Sequence, residues 1–181
     1  MEKENPSIFK SAMNYGLYMG LLLIVYSLVI YFAGLTGNTA ANYLTYIIYI
    51  GMLCYTMLNF RDKVNGGVMT YGQGVGLGTF TMVIGGLLSG VFGFILLKYI
   101  DPSLVEKIVN ITLEEAMASG LPDAQIEMTE KITRMAASPI ATLLVSVLGG
   151  GINGAIISLI LAAIFKKEPS IFDGTEVVEE A

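Results

Sequence analysis

Three runs of this chain contain no Asp, Glu, Lys or Arg: Ser11 to Phe60, Val64 to Leu97, and Met135 to Phe165. A helix needs about 20 apolar residues to cross a hydrocarbon core of about 30 Å. The first run is long enough for two crossings joined by a short turn, and each of the others holds one. The predicted fold is therefore an all-α integral membrane protein with four transmembrane helices. The expected spans cover residues 12–34, 43–60, 75–99 and 139–165.

Of the 181 residues 54% are hydrophobic, which suits a single membrane domain over residues 1–181 rather than a soluble domain with a tail. The net charge of -5 arises mainly in Asp101 to Glu130 and Glu168 to Glu180, both outside the expected spans and so read as solvated surface. No basic block points to nucleic acid. His is absent, which removes the commonest metal ligand and proton relay, and the single Cys54 leaves no paired-Cys site within one chain. Lys3 and Lys10 are mixed with Glu2 and Glu4, and the apolar run that follows exceeds a signal-peptide core of about 7–15 residues. A retained first span is expected.

Small residues recur inside the spans at the spacing that lets helices approach closely. Span three carries Gly86/Gly90 and Ser89/Gly93, span four Gly150/Gly154, and span one Gly16/Gly20. Packing within one bundle is the expected use of these faces, with a dimer face as the alternative. Gly72, Gly74, Gly76 and Gly78 alternate before span three, but their spacing is not that of a dinucleotide loop and no acidic ribose ligand follows. They predict a flexible entry into the span, where another helix can come close. Tyr43, Tyr46 and Tyr49 share a helix face and read as an interfacial aromatic belt with packing.

With four spans both termini share a side. That side collects Lys3, Lys10, Arg61, Lys63, Lys166 and Lys167, so the positive-inside rule predicts cytoplasmic termini, including a cytoplasmic tail over 166–181. The segment 101–138 is then exported. A helix start is expected at Ser103-Leu-Val-Glu106, a break at Gly120-Leu-Pro-Asp123, and a second helix capped by Asp123 and running to Ala137. The expectation is an extracytoplasmic amphipathic helical hairpin, lying on the bilayer surface or folded over the bundle.

Several of these residues resemble a family of small four-span bacterial membrane proteins, found mainly in Bacteroidota and catalogued as domain of unknown function 4199. The resemblance is carried by Arg61-Asp-Lys63, Gly66-Gly67, Tyr71-Gly-Gln-Gly74, Tyr99-Ile-Asp-Pro102, Gly120-Leu-Pro-Asp-Ala-Gln-Ile126 and Phe165-Lys-Lys167. It covers about Ile8 to Lys167. Gly74-Val-Gly-Leu-Gly78 is richer in glycine than that family's lead-in to span three. The resemblance implies the architecture and an inner-membrane location, and brings no catalytic residues.

Candidate chemistry is sparse. Cys54 has apolar neighbours and no His or basic group to activate it, so it reads as a core residue. Glu114-Glu115 and Glu127/Glu130 are paired carboxylates on solvated helices, open to weak divalent-cation binding at most. No predicted span core contains an ionisable group of the kind that proton-coupled transport uses. Asn153 is the polar residue of interest. It is expected to hydrogen-bond a neighbouring helix at Ser89, Thr81 or Asn59, or else to mark a broken helix that coordinates a solute. The expected function is non-enzymatic and without a cofactor: a structural or accessory subunit associating through helix faces with a second copy or a partner membrane protein. The alternative is an oligomeric solute- or ion-permeation unit lined by spans three and four.

Overall fold

The structure, a computed structural model, describes residues 7–168. The expectations for Lys3 and for most of the tail over 166–181 lie outside these residues. Six α-helices make up the fold: α1 (Ile8–Phe32), α2 (Thr39–Asn59), α3 (Tyr71–Ile95), α4 (Leu104–Ala118), α5 (Asp123–Ala136) and α6 (Pro139–Phe165). α2 and α3 each run on through a π-helical turn, Phe60–Val64 and Leu96–Ile100. Four helices, α1, α2, α3 and α6, are long and apolar enough to cross a membrane. No strand forms among the described residues.

The helix ends follow from local chemistry. Ser7 Oγ accepts from Lys10 N, and Asn38 Oδ1 accepts from Ala40 N and Ala41 N, so α1 and α2 begin four residues before the expected starts. α3 also begins early. Thr70 Oγ1 accepts from Gln73 N while Gln73 Oε1 accepts from Thr70 N, a reciprocal cap that pulls Gly72 to Gly78 into the helix. The glycine lead-in is therefore regular helix rather than a flexible entry. α6 starts with Pro139 in its first turn, where the missing N–H has no partner to lose.

α3 is the central helix, held between α1 on one side and α6 on the other. One core cluster gathers Ala12 and Met19 of α1, Leu53 and Met57 of α2, Phe60, Met69, Leu77 of α3, and Leu161 and Ala162 of α6. These residues sit towards the start of α1 and α3 and the end of α2 and α6, so one half of the bundle is solidly packed. At the opposite end a smaller cluster of Leu96, Leu97 and Leu104, with Tyr31, Phe92 and Ile108 against it, seats α4 on the bundle.

α4 and α5 form an antiparallel pair between α3 and α6. Arg134 near the end of α5 donates to both carboxylate oxygens of Glu106 near the start of α4, and its Nη2 also donates to Glu130 Oε1 at 3.2 Å. The expected box at Ser103 and Glu106 does not form. Both Ser103 N and Ser103 Oγ donate to Asp101 Oδ1, and Glu106 is taken by Arg134. Asp123 is the first helical residue of α5 and not its cap, a position Pro122 occupies. α4 buries Leu104, Val109 and Ala116, whereas α5 buries nothing and leaves Met128, Ile132 and Met135 exposed along one stripe.

The Arg134 guanidinium holds the Glu106 carboxyl below its ordinary value of 4.5. A lowered folded-state value means the contact contributes fully above the ordinary carboxylate range and is lost as pH falls through the lowered value. Spin labels at the exposed Glu114 and Lys131 should therefore give a distance distribution at about pH 7 that broadens modestly as the pH falls through that lowered value, the effect being small because the pair is solvent-screened. In Glu106→Gln the broad distribution should already be present at about pH 7.

Candidate intramembrane site

The α3–α6 contact pairs a small residue at every fourth position of α6, Thr142 to Ala162, with Gly74, Gly78, Gly86 and Gly90 of antiparallel α3, whose series Met82 interrupts. Down the pair, Gly74 meets Ala162, Gly78 meets Ser158, Gly86 meets Ser146 and Gly90 meets Leu143 and Ser146. From the α6 side, Gly150 lies on Met82 and Gly86, Gly154 on Met82 and Thr79, and Thr142 on Gly93. A methyl on Gly150 would stand 2.7 Å from the Met82 carbonyl oxygen, and one on Gly154 would stand 2.6 Å from Met82 Cβ. Gly86, Gly90, Gly93, Gly150 and Gly154 thus lie between helices of one chain. On the other face of α3, Gly16 and Gly20 of α1 receive Ile84 and Leu88, and Gly85 receives Met19.

Ser89 and Asn153 are placed differently: both line a cavity. α6 is continuous through Gly149 to Gly154, so the broken-helix expectation for Asn153 does not hold. Nor does its side chain bond a neighbouring helix. Asn153 Nδ2 donates to Gly149 O of its own helix at 2.9 Å. The expected partners do likewise: Ser89 Oγ donates to Gly86 O, Thr81 Oγ1 to Leu77 O and Asn59 Nδ2 to Tyr55 O. The carbonyl one turn back is always within reach, and a short polar side chain takes it when no water competes. Ser158 Oγ is buried without a partner among the described residues, pressed against Gly78.

The cavity lies beside α2, whose buried side chains are concentrated towards its end. The helix buries Leu53, Thr56 and Met57 in its last turns, followed by Phe60, while Tyr43, Leu44, Tyr46 and Ile47 near its start are exposed. A deep space of about 160 Å³ lies against Tyr49, Gly86, Ser89, Ser146, Gly150 and Asn153. A second of about 240 Å³, at the start of α2, lies against Tyr26, Ser27, Asn42, Thr45, Tyr49 and Ser89. Leu23, Tyr49 and Ser89 line both. Tyr26 Oη donates to Ala41 O at 2.7 Å, a hydrogen bond that ties α1 to α2 across this opening.

Tyr43 and Tyr46 are exposed near the start of α2, and Tyr46 packs edge to face with Tyr49. Tyr15 and Tyr55 pack edge to face with ring centroids 6.1 Å apart, linking α1 and α2. Tyr18 and Tyr55 remain 60% and 53% exposed on the outer surface. At about 1.5 Å per residue, Tyr18 lies about 15 Å along α1, which is mid-span.

The closed end holds most of the residues that carry the family resemblance. Arg61 Nη1 donates to Phe165 O at the end of α6, while Arg61 also pairs with Asp62. Gly66 and Gly67 both take left-handed backbone, φ 65° and 87°, to turn the chain back into α3. Asn65 Nδ2 bridges Val68 O and Gln73 Oε1, and Met69 exchanges two backbone hydrogen bonds with Lys167. These residues clasp the α2–α3 loop to the exit of α6.

Four membrane-length helices, three of them (α1, α3 and α6) joined through small residues, with a helical pair between the third and fourth, are the features of a membrane protein. The family model described as protein of unknown function (DUF4199) matches residues 14–167, and the chain belongs to that family. No curated protein and no solved structure matches it.

Proposed function

We propose that this is a non-enzymatic protein of the bacterial inner membrane that works by lateral association with a second transmembrane surface, either another copy of itself or a partner membrane protein. The observation that carries this reading is Tyr18, exposed at mid-span on α1, with Tyr55 exposed in the last turns of α2. A hydroxyl in hydrocarbon without a hydrogen-bond partner is unfavourable, so such a surface suits a neighbouring helix better than lipid. The glycine faces are already occupied by α1, α3 and α6 of the same chain, which leaves the tyrosine face as the surface for association. Cytoplasmic termini are supported by the basic residues Lys10, Arg61, Lys63, Lys166 and Lys167 at one end, with the α4–α5 pair on the opposite side. A cysteine at Ser119 labelled by an impermeant reagent from inside the cell would overturn that orientation.

The test of association is native mass in nanodiscs formed directly from the host membrane. The expected result is a dimer or a stoichiometric companion. Interhelical hydrogen bonds in membranes contribute about 0.6 kcal/mol on average and up to about 1.7 kcal/mol. Tyr18→Leu with Tyr55→Leu, removing two such bonds, should thus weaken association by about sevenfold to three-hundredfold while leaving the thermal midpoint of the monomer in place. A bare wild-type monomer would sink the reading. The permeation alternative is less well supported, since the faces of α3 and α6 that would line a pore between copies are packed on each other.

A further inference from the structure

We propose that the cleft beside α2 is a water-filled vestibule, open at the α4–α5 end and closed at mid-bundle, that admits a small uncharged hydrogen-bonding solute. Its depth and its lining carry the inference. The mouth presents Ser27, Asn42 and Thr45, and the floor presents Tyr49, Ser89 and Asn153. Hydrocarbon in contact with these groups would leave their spare hydrogen-bonding capacity unmet, whereas water or a polar solute meets it. Spaces of about 160 and 240 Å³ each hold several waters.

Closure at the bottom is built from the packed half of the bundle. Met82 forms part of the floor, and beyond it Leu53, Met57, Phe60 and Leu77 are buried in one hydrophobic cluster. The vestibule therefore ends near Asn153 rather than crossing the bundle. No Asp, Glu, Lys or Arg lines either space, so nothing compensates an ion brought to that depth. Asn153, Ser89 and Tyr49 offer hydroxyl and amide groups alone, which matches a neutral solute with donors and acceptors of its own. This reading is independent of the lateral association above, because the tyrosine face and the cleft share no residue.

Substituted-cysteine labelling of the full chain in nanodiscs tests it, in a Cys54→Ala background. Asn153→Cys and Ser89→Cys lie on the floor, and Ser89→Cys is a near-isosteric change that preserves the fold if Asn153→Cys does not. Ile152→Cys is the control, being the next residue of α6 at the same depth but exposed on the outer surface. A thiol reacts as its thiolate, which forms in water and not in hydrocarbon. With a neutral hydrophilic methanethiosulfonate, the expected result is labelling at Ser89→Cys and Asn153→Cys at least tenfold faster than at Ile152→Cys. Cationic and anionic reagents of similar size should be at least tenfold slower at the floor than the neutral one, after normalisation to a free thiol. Unreactive floor positions in a folded variant would show a dry cleft and overturn the proposal. Equal rates at Ile152 and the floor would overturn it too, because access would not run through the cleft. Charged reagents matching the neutral one would overturn the solute class.

Discussion

Gly86→Ala and Gly150→Ala should each lower the thermal midpoint of the purified protein, while Gly149→Ala should leave it unchanged or raise it. A single methyl distinguishes the three. On Gly86 it would collide with the Ser146 carbonyl oxygen, and on Gly150 it would stand 2.7 Å from the Met82 carbonyl oxygen. Backbone atoms cannot swing aside as a side-chain tip can, so α3 and α6 must separate along their length. Forcing an extra methylene into a close-packed contact costs about 1–3 kcal/mol. Gly149 has nothing within 4 Å of the same position. There the change to Ala gains helix propensity of about 0.5–1 kcal/mol. Gly76, equally open, should behave like Gly149. Melting curves in one detergent read all four variants, and equal losses at Gly149 and Gly150 would show that α6 is rotated from the register described above.

That register also shows what the sequence could and could not disclose. Four helices were legible because charge-free runs of that length leave little choice of form, and the bounds of α6 coincide with the expected span over 139–165. The other three spans start four residues early because Ser7, Asn38 and Thr70 cap them, and a cap belongs to the last polar residue before the apolar run. Small-xxx-small pairs signal close approach but not what approaches. The signal that Gly74 and Gly78 belong to the same spine as Gly86 and Gly90 is a spacing in multiples of four, interrupted once by Met82 and met on α6 by Thr142, Ser146, Gly150, Gly154, Ser158 and Ala162. Alternation of Gly72, Gly74, Gly76 and Gly78 obscured it. The cleft was not legible at all. It depends on where α2 packs against its neighbours, with Leu53, Thr56, Met57 and Phe60 buried towards its end and its start left exposed, and no local pattern along α2 encodes that placement. Asn153 was singled out as a polar residue in an apolar run. Its bond to Gly149 O shows why rarity alone misleads: the helix itself satisfies the amide nitrogen, and only the cavity beside it gives the side chain a further use.

Because the buried side chains of α2 are concentrated at its end, Phe60→Ala should have an effect out of proportion to one residue. Phe60 is the largest fully buried side chain, set in the π-helical turn that ends α2 and packed in the cluster that closes the bundle. Removing a buried Phe side chain costs about 3–5 kcal/mol in water-soluble cores. In a bilayer the lower end is expected, about 3 kcal/mol, since the separated helices still sit in lipid and lose mainly packing contacts. Phe80→Ala, at a ring 48% exposed and edge-on to Phe9, should cost about 0.5–1.5 kcal/mol. Stability is only half of the expected result. Arg61 follows Phe60 directly, and its hydrogen bond to Phe165 O holds the end of α2 against α6. Without the Phe60 anchor that clasp loosens, and trypsin should cut after Arg61 and Lys63 at least tenfold faster than in the wild type. Arg61→Gln, which removes the clasp but keeps the anchor, should raise cleavage after Lys63 by much less. If both variants are cut after Lys63 at the same rate, the surface clasp and not the buried ring holds α2, and the packed half of the bundle is not what closes the cleft.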